Sequence, residues 1–209
     1  VHRAASVTQV AGGKGVNVAH AVHLAGKETL ALFPARAADP FINLIHDVDL
    51  PYANVDMDGG VRVNTTITEP DGTTTKVNGP GPLLSDATQN HLIATLTRHA
   101  QSADWVALAG SLPKGIDAGW YTDLIKEIRN AAPQARIAVD TSDAPMKAIA
   151  EQLDSAAPDL IKPNGFELGQ LTGQDGLALE RAAAAGDYSP VVKAARAVSY
   201  THLTLPTKA

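Results

Sequence analysis

Cysteine is absent from the sequence, which excludes a disulfide framework, a thiolate metal site and a thiol nucleophile. No run of about 18 or more apolar residues occurs, so a membrane-spanning helix is not expected. A basic surplus is also missing. The net charge of -5 argues against nucleic acid as the main partner, because phosphate backbones bind to basic surfaces. A small phosphate-bearing substrate needs only a few local cations, so the net charge does not exclude such a substrate. The absence of cysteine fits a cytoplasmic protein, and we expect that location.

What the sequence does contain is a rhythm of short apolar runs and Ala/Leu/Ile-rich stretches at helical spacing. The 209 residues are enough for one sizeable core. Because alternation of strands and helices builds parallel sheets, the sequence predicts an α/β fold with a mostly parallel sheet. The expected strands are 29–33, 105–109, 136–139 and 159–161, and the expected helices are 16–25, 87–100, 118–131 and 144–153.

The region 61–78 breaks this rhythm. Two β-branched runs flank a Pro-Asp-Gly turn, which predicts an antiparallel hairpin that lies beside the main sheet as a lid. We expect the segment 4–10 to pair with it as a further lid strand. Arg62 begins the hairpin, and its planar guanidinium would suit a substrate phosphate there; otherwise it is a solvated surface residue.

A glycine-rich turn, Gly12-Gly13-Lys14-Gly15-Val16-Asn17, joins an expected strand to the first helix. Glycines let a ligand approach the backbone, and a helix amino terminus offers free N–H groups. Lys14 would add a charge and Asn17 a hydrogen-bonding amide. The spacing is neither a Walker A loop nor the dinucleotide fingerprint, so a tight turn without a ligand is equally compatible with it.

Polar residues follow three expected strands, at Ser111, at 140–143 and from Lys162 onward. Because parallel strands end at one sheet edge, these positions predict the rim of a cleft. Asn164 and Glu167 permit two interpretations. They have the spacing of a helix capping box, and they could also hold a magnesium ion through its waters.

Five motifs taken together resemble the ribokinase-like (PfkB) carbohydrate kinases, and within them the 1-phosphofructokinase branch. Their order and spacing make the resemblance specific, and it extends from residue 3 to about residue 197. The motifs are Gly12-Gly13-Lys14-Gly15-Val16-Asn17-Val18-Ala19, Asn78-Gly79-Pro80-Gly81-Pro82, Gly110-Ser111-Leu112-Pro113, Val139-Asp140-Thr141 and Lys162-Pro163-Asn164-Gly165-Phe166-Glu167-Leu168.

The resemblance implies a three-layer sandwich and a magnesium-dependent transfer of the γ-phosphoryl group of ATP to fructose 1-phosphate, giving fructose 1,6-bisphosphate. It also implies a homodimer formed through the lid. The residues that it assigns to the substrate are Gly13, Lys14, Asn17, Arg62 and Ser111; those that it assigns to ATP and magnesium are Lys162, Asn164 and Glu167, with the metal on the last two.

The sequence departs from the family pattern in three ways. The Gly-Ala-Gly-Asp segment that carries the family's general base does not occur, and the opening strand with its sugar-binding aspartate should precede Val1. We therefore expect a truncated kinase domain over 1–197 without activity of its own, followed by a non-native tail at 198–209. Arg36 replaces a usual glycine and is expected to disturb the turn there.

Two other functions stay open. The shared motifs also fit a tagatose 6-phosphate or fructose 6-phosphate kinase. A sugar-phosphate-binding module without catalysis would use the glycine turn and the lid alone.

Overall fold

A computed structural model describes residues 3–202 of the chain, with side chains up to residue 198. These residues divide into two compact units. The first extends to Leu96 and includes Pro113–Ile116, and the second consists of Thr97–Leu112 and the chain from Asp117 onward. The interpretation of 1–197 as one kinase domain stays a prediction.

The first unit begins with an αβαβ arrangement. Its elements are α1 (Lys14–Leu24), β1 (Ala31–Pro34), α2 (Pro40–His46) and β2 (Tyr52–Val55). β1 and β2 are parallel, with Ala31 opposite Tyr52. The sequence predicted α1 and β1 to within two residues, but it predicted neither α2 nor β2. Helix α1 packs on β1 and α2 through a buried cluster: Val16, Ala19, Ala31, Ile45 and Leu50.

The predicted antiparallel hairpin is present as β3 (Asn64–Thr68) and β4 (Thr74–Asn78), while its role as a lid stays a prediction. Its turn is closed by the backbone N–H of Gly72, which donates to the Glu69 carbonyl at 2.9 Å; Gly72 has φ 89°. Every residue of both strands is exposed. The register places Thr65 opposite Val77 and Ile67 opposite Thr75, so the apolar residues of the hairpin share one face.

The segment 4–10 forms no strand, so its predicted pairing with the hairpin is wrong. Val7 and Val10 stand three residues apart, whereas a strand with one apolar face needs alternate residues. Both side chains are exposed instead. Pairing with the hairpin would have cost this segment conformational entropy without burying an apolar face in return.

The second unit contains a parallel sheet in the order β5-β6-β7. Its strands are β5 (Trp105–Ala109), β6 (Arg136–Asp140) and β7 (Leu160–Ile161). All three were predicted, and the mostly parallel α/β fold is confirmed. Helix α3 (Asp86–Ala100) starts in the first unit and ends in the second. The helices that follow it are α4 (Trp120–Ala131), α5 (Asp143–Glu151), α6 (Leu153–Ala156), α7 (Gly165–Thr172), α8 (Gly176–Ala184) and α9 (Ser189–His202).

Helix α9 contains the predicted tail boundary at residue 198. Val198 packs against the buried cluster of Leu168, Leu179 and Ala194, so it has a partner where none was expected. The remainder of the predicted tail, 203–209, lies outside the described residues. Among residues 3–202, no helix is long and apolar enough to cross a membrane.

Candidate functional site

The glycine turn opens helix α1 with an exposed backbone. Gly13 is the N-cap residue, with φ 114° and ψ 138°, a conformation that residues with a Cβ rarely adopt. No atom lies within 4 Å of where a Cβ on Gly12 or Gly13 would stand, so the space above the turn is open. Lys14 and Asn17 lie three residues apart on α1, both exposed and therefore on one helix surface. The turn can present a cation and an amide to a small polar ligand.

Arg62 lies just before β3 and is exposed. Hydrogen bonds made by the backbone groups of Val61 and Val63 hold the residues on both sides of Arg62. The Val61 N–H donates to Asp39 Oδ2 at 3.0 Å, and the Gly79 N–H donates to the Val63 carbonyl at 3.0 Å. A Cβ on Gly79 would stand 2.5 Å from that carbonyl oxygen, so the contact requires glycine. The second family motif thus closes the base of the hairpin beside Arg62.

Arg36 does not disturb the turn between β1 and α2, and that prediction is wrong. The Asp39 N–H donates to the Arg36 carbonyl at 3.0 Å, which closes the turn. The non-glycine residues with positive φ in the described chain are Asp49 and Asp143. The φ of Arg36 is therefore not positive, so the backbone of the turn does not require glycine at this position.

Ser111 is exposed and lies two residues after the end of β5. The residue before it, Gly110, is held in place by hydrogen bonds on both its carbonyl and its N–H group. The Gly110 carbonyl accepts hydrogen bonds from Tyr121 Oη and Thr141 Oγ1, both at 2.9 Å, while the Gly110 N–H donates to the Asp140 carbonyl. Tyr121 and Thr141 are buried. Burial, together with the negative charge of Asp140, raises the pKa of Tyr121 to about 12, so its phenol stays a donor even at pH values where an ordinary tyrosine ionises. The sequence did not predict this pair of donors.

Lys162 follows β7 and forms an ion pair with Asp140 at the end of β6, with Nζ 3.4 Å from Oδ1. The Lys162 side chain is 69% exposed and that of Asp140 is 19% exposed, so the ammonium group is on the surface while its partner is partly sheltered. Because β5, β6 and β7 are parallel neighbours, the residues after each strand lie side by side. The three positions therefore lie at one edge of this sheet, and their role as the rim of a cleft stays a prediction.

Asn164 and Glu167 form the capping box that was one of the two interpretations. Asn164 Oδ1 accepts from the Glu167 N–H at 2.9 Å, and Glu167 Oε2 accepts from the Asn164 N–H at 2.8 Å. Glu180 of α8 adds a third bond, accepting from the Gly165 N–H at 2.7 Å. The start of α7 is thus satisfied by protein groups. A magnesium role for the two residues stays a prediction.

The donor set fits an indirect role for magnesium. Within residues 3–198, no group of three or more His, Asp or Glu side chains could hold a metal ion. Magnesium keeps several waters and is often bound by one or two carboxylates together with substrate phosphates. Glu167 is 8% exposed and uses Oε2 for the cap, so it can offer at most a partial ligand set.

The two units carry the predicted residues in two groups. Gly13, Lys14, Asn17 and Arg62 belong to the first unit, and Ser111, Lys162, Asn164 and Glu167 belong to the second. With parallel sheets in both units and an exposed antiparallel hairpin in the first, the chain has the architecture of the ribokinase-like α/β proteins.

Residues 1–197 match the pfkB family of carbohydrate kinases, and the chain belongs to this family. A 1-phosphofructokinase of Rhodobacter capsulatus is 39% identical over 186 residues, which are 86% of this chain and 56% of that protein. One of Vibrio cholerae is 35% identical over 171 residues, 79% of this chain and 51% of that protein.

A solved structure of Escherichia coli phosphofructokinase-2 in complex with fructose-6-phosphate superimposes with a TM-score of 0.75 at 26% identity, over 91% of this chain and 59% of that one. The chain thus spans between about half and three fifths of the length of these relatives.

Proposed function

We propose that the protein to which this chain belongs is an ATP-dependent kinase that converts fructose 1-phosphate to fructose 1,6-bisphosphate. The observation that carries the proposal is the 35–39% identity to proteins named 1-phosphofructokinase, across most of this chain. The reaction moves the γ-phosphoryl group of ATP to a sugar hydroxyl oxygen, releasing ADP and the hydroxyl proton. Catalysis of this kind depends mainly on positioning and charge stabilisation.

The first unit carries the proposed sugar-phosphate side. Gly13 leaves its backbone accessible, and Asn17 offers both a donor and an acceptor for sugar hydroxyls. Lys14 adds a positive charge on the same helix surface. Arg62 is exposed between two anchored neighbours, and its fork of N–H donors matches a phosphate.

The second unit carries the proposed nucleotide side. Ser111 is exposed after β5 and would contact the substrate. Lys162 is exposed enough to reach ATP phosphates while Asp140 limits its freedom. Asn164 and Glu167 would act on magnesium through water, since Asn164 Oδ1 and Glu167 Oε2 already accept the hydrogen bonds of the cap. Magnesium supplies charge neutralisation for the phosphates when it is bound.

Calorimetric titration of the 209-residue chain with three sugar phosphates tests the substrate. We expect fructose 1-phosphate to bind at least about tenfold more tightly than fructose 6-phosphate or tagatose 6-phosphate, a difference of about 1.4 kcal/mol. Preference for either of the others would reject the 1-phosphofructokinase assignment and favour that kinase.

The nucleotide role is tested by repeating the titration with ATP and magnesium and by a coupled assay of ADP release. We expect nucleotide to change the sugar-phosphate affinity. A nucleotide without effect would favour the non-catalytic binding module. Because the sequence of this chain has no Gly-Ala-Gly-Asp segment, we expect no turnover by the chain alone, and ADP release well above background would contradict that expectation.

We further propose that the lid pairs with the lid of a second copy of the chain. One hairpin face exposes Val63, Ile67 and Val77 by 72%, 53% and 55% of their surfaces, and an apolar strip of this kind gains free energy when covered. Ile67→Lys should shift the protein to monomer in analytical ultracentrifugation, whereas Thr66→Lys on the opposite face should not. A monomeric parent chain would reject the proposal. The cytoplasmic location stays a prediction.

A further inference from the structure

Asp39 makes more hydrogen bonds than a helix cap requires. It is the N-cap residue of α2, where Oδ1 accepts from the Phe41 N–H at 2.9 Å. Its second oxygen, Oδ2, accepts from the Val61 N–H at 3.0 Å, across 22 residues of sequence. The residue is 6% exposed, so both bonds are sheltered from water. One oxygen would have been enough for the cap, and the other fixes a distant loop.

The loop that Asp39 holds is anchored at its start, where the Asp56 carbonyl accepts from Thr88 Oγ1 and Met57 is buried, and its central part contains two glycines. Residues 56–63 belong to no strand, and Gly59 and Gly60 come directly before Val61. Gly59 has φ 87°, which only glycine adopts readily. Glycine has more backbone conformational freedom than any other residue, so the backbone at Gly59 and Gly60 is poorly fixed unless a hydrogen bond restrains it. The bond from Val61 to Asp39 is placed where that restraint is needed.

The restraint falls next to Arg62. Val61 is bound to Asp39 on one side, and Val63 is bound to Gly79 on the other, so the backbone at Arg62 has a fixed direction between two anchors. A Cβ on Gly81 would stand 3.9 Å from Arg62 Cδ, which places the stem of Arg62 along the Gly79–Gly81 segment. The buried Asp39 thus helps to fix the backbone position from which the exposed Arg62 side chain extends.

We propose that Asp39 is a positioning residue for the substrate phosphate: through Val61 it holds the backbone from which Arg62 reaches the phosphate. The proposal rests on the phosphate-binding role of Arg62 given above. Asp39 itself does not touch the substrate.

Asp39→Ser separates the two bonds of the carboxylate. Serine caps helices about as well as aspartate, but a single short hydroxyl cannot also reach Val61. Asp175→Ser is the matched control, because Asp175 caps α8 with bonds to that helix alone, through the Leu177 and Ala178 N–H groups.

The structural half of the test is amide hydrogen exchange measured by NMR. In Asp39→Ser we expect exchange at the Val61 amide to become at least about tenfold faster, with little change at Phe41; Asp175→Ser should leave both unchanged. Unchanged exchange at Val61 would overturn the proposal, because the bond would then not restrain the loop. This measurement does not depend on any substrate.

The functional half is a double-mutant cycle on fructose 1-phosphate affinity. We expect Asp39→Ser to weaken binding about tenfold in the parent chain and to have almost no effect in an Arg62→Ala background. Equal effects in both backgrounds, or faster Val61 exchange without loss of affinity, would overturn the positioning role. An Arg62→Ala variant with full affinity would instead reject the proposed role of Arg62, while the exchange result still reports on the restraint.

Discussion

The capping box at α7 offers a test that separates stability from nucleotide binding. Glu167→Ala removes the acceptor of the Asn164 N–H, whereas Glu167→Gln keeps a side-chain oxygen at the same length and removes only the charge. Loss of a helix cap costs about 1 kcal/mol, and a hydrogen bond to a charged group contributes about 1.5–3 kcal/mol. We therefore expect about 2 kcal/mol of destabilisation for the alanine variant.

The glutamine variant should lose much less. Its hydrogen bond to Asn164 remains, and what disappears is the favourable interaction between a carboxylate and the helix amino terminus, about 0.5 kcal/mol. The gap between the two variants, about 1.5 kcal/mol, is a factor of about ten in the unfolding equilibrium. Both tryptophans, Trp105 and Trp120, belong to the same unit as α7, so their fluorescence in a urea titration reports the relevant unfolding.

Two outcomes would refute this reasoning about Glu167. If the glutamine variant unfolds as easily as the alanine variant, the charge and not the hydrogen bond holds the helix start. If the alanine variant unfolds at the urea concentration of the parent, the box contributes nothing. The same variants test the metal role, since Glu167→Gln should lose the magnesium enhancement of ATP binding while its stability stays near that of the parent.

Two further predictions concern buried contacts beside the candidate residues. Because the pKa of Tyr121 is raised from 10.0 to about 12, its neutral form stabilises the fold fully below pH 10, and the free energy of unfolding should fall by up to about 2.7 kcal/mol as pH rises from 10 to 12. Tyr121→Phe should flatten that part of the pH profile in urea titrations; a profile identical to the parent would contradict the assignment. Gly79→Ala would place a Cβ 2.5 Å from the Val63 carbonyl oxygen, so hydrogen exchange at the hairpin base should accelerate, while Gly72→Ala should affect only the distal turn.

The sequence predicted the strands of the second unit well because each is a short, mainly apolar run ended by a polar residue. It missed β2 because Tyr52-Ala53-Asn54-Val55 mixes polar and apolar residues without alternation. It missed α2 because the helix has only seven residues, although Asp39 before Pro40 is a recognisable start signal. The strand predicted at 4–10 is wrong because the segment contains β-branched residues but lacks the alternation that would give it an apolar face to bury.

The candidate residues were predictable from local patterns, and their supports were not. The spacing of Asn164 and Glu167 fixes the capping box within four residues. In contrast, Asp39 reaches its second partner across 22 residues, and Thr141 reaches Gly110 across 31. Such pairs depend on which strands and loops become neighbours, and a single sequence does not determine that from local periodicity.

These supports follow one physical rule. Arg62, Ser111 and Asn164 are exposed, and each lies on or next to a backbone group that a buried or partly buried partner binds: Val61 by Asp39, Gly110 by Tyr121 and Thr141, and the Asn164 N–H by Glu167. An exposed side chain has no packing of its own to fix it, so its accuracy must come from the backbone. Substitutions at the buried partners should therefore change substrate affinity without any contact with substrate, and conservative replacements that keep the backbone hydrogen bond should restore it.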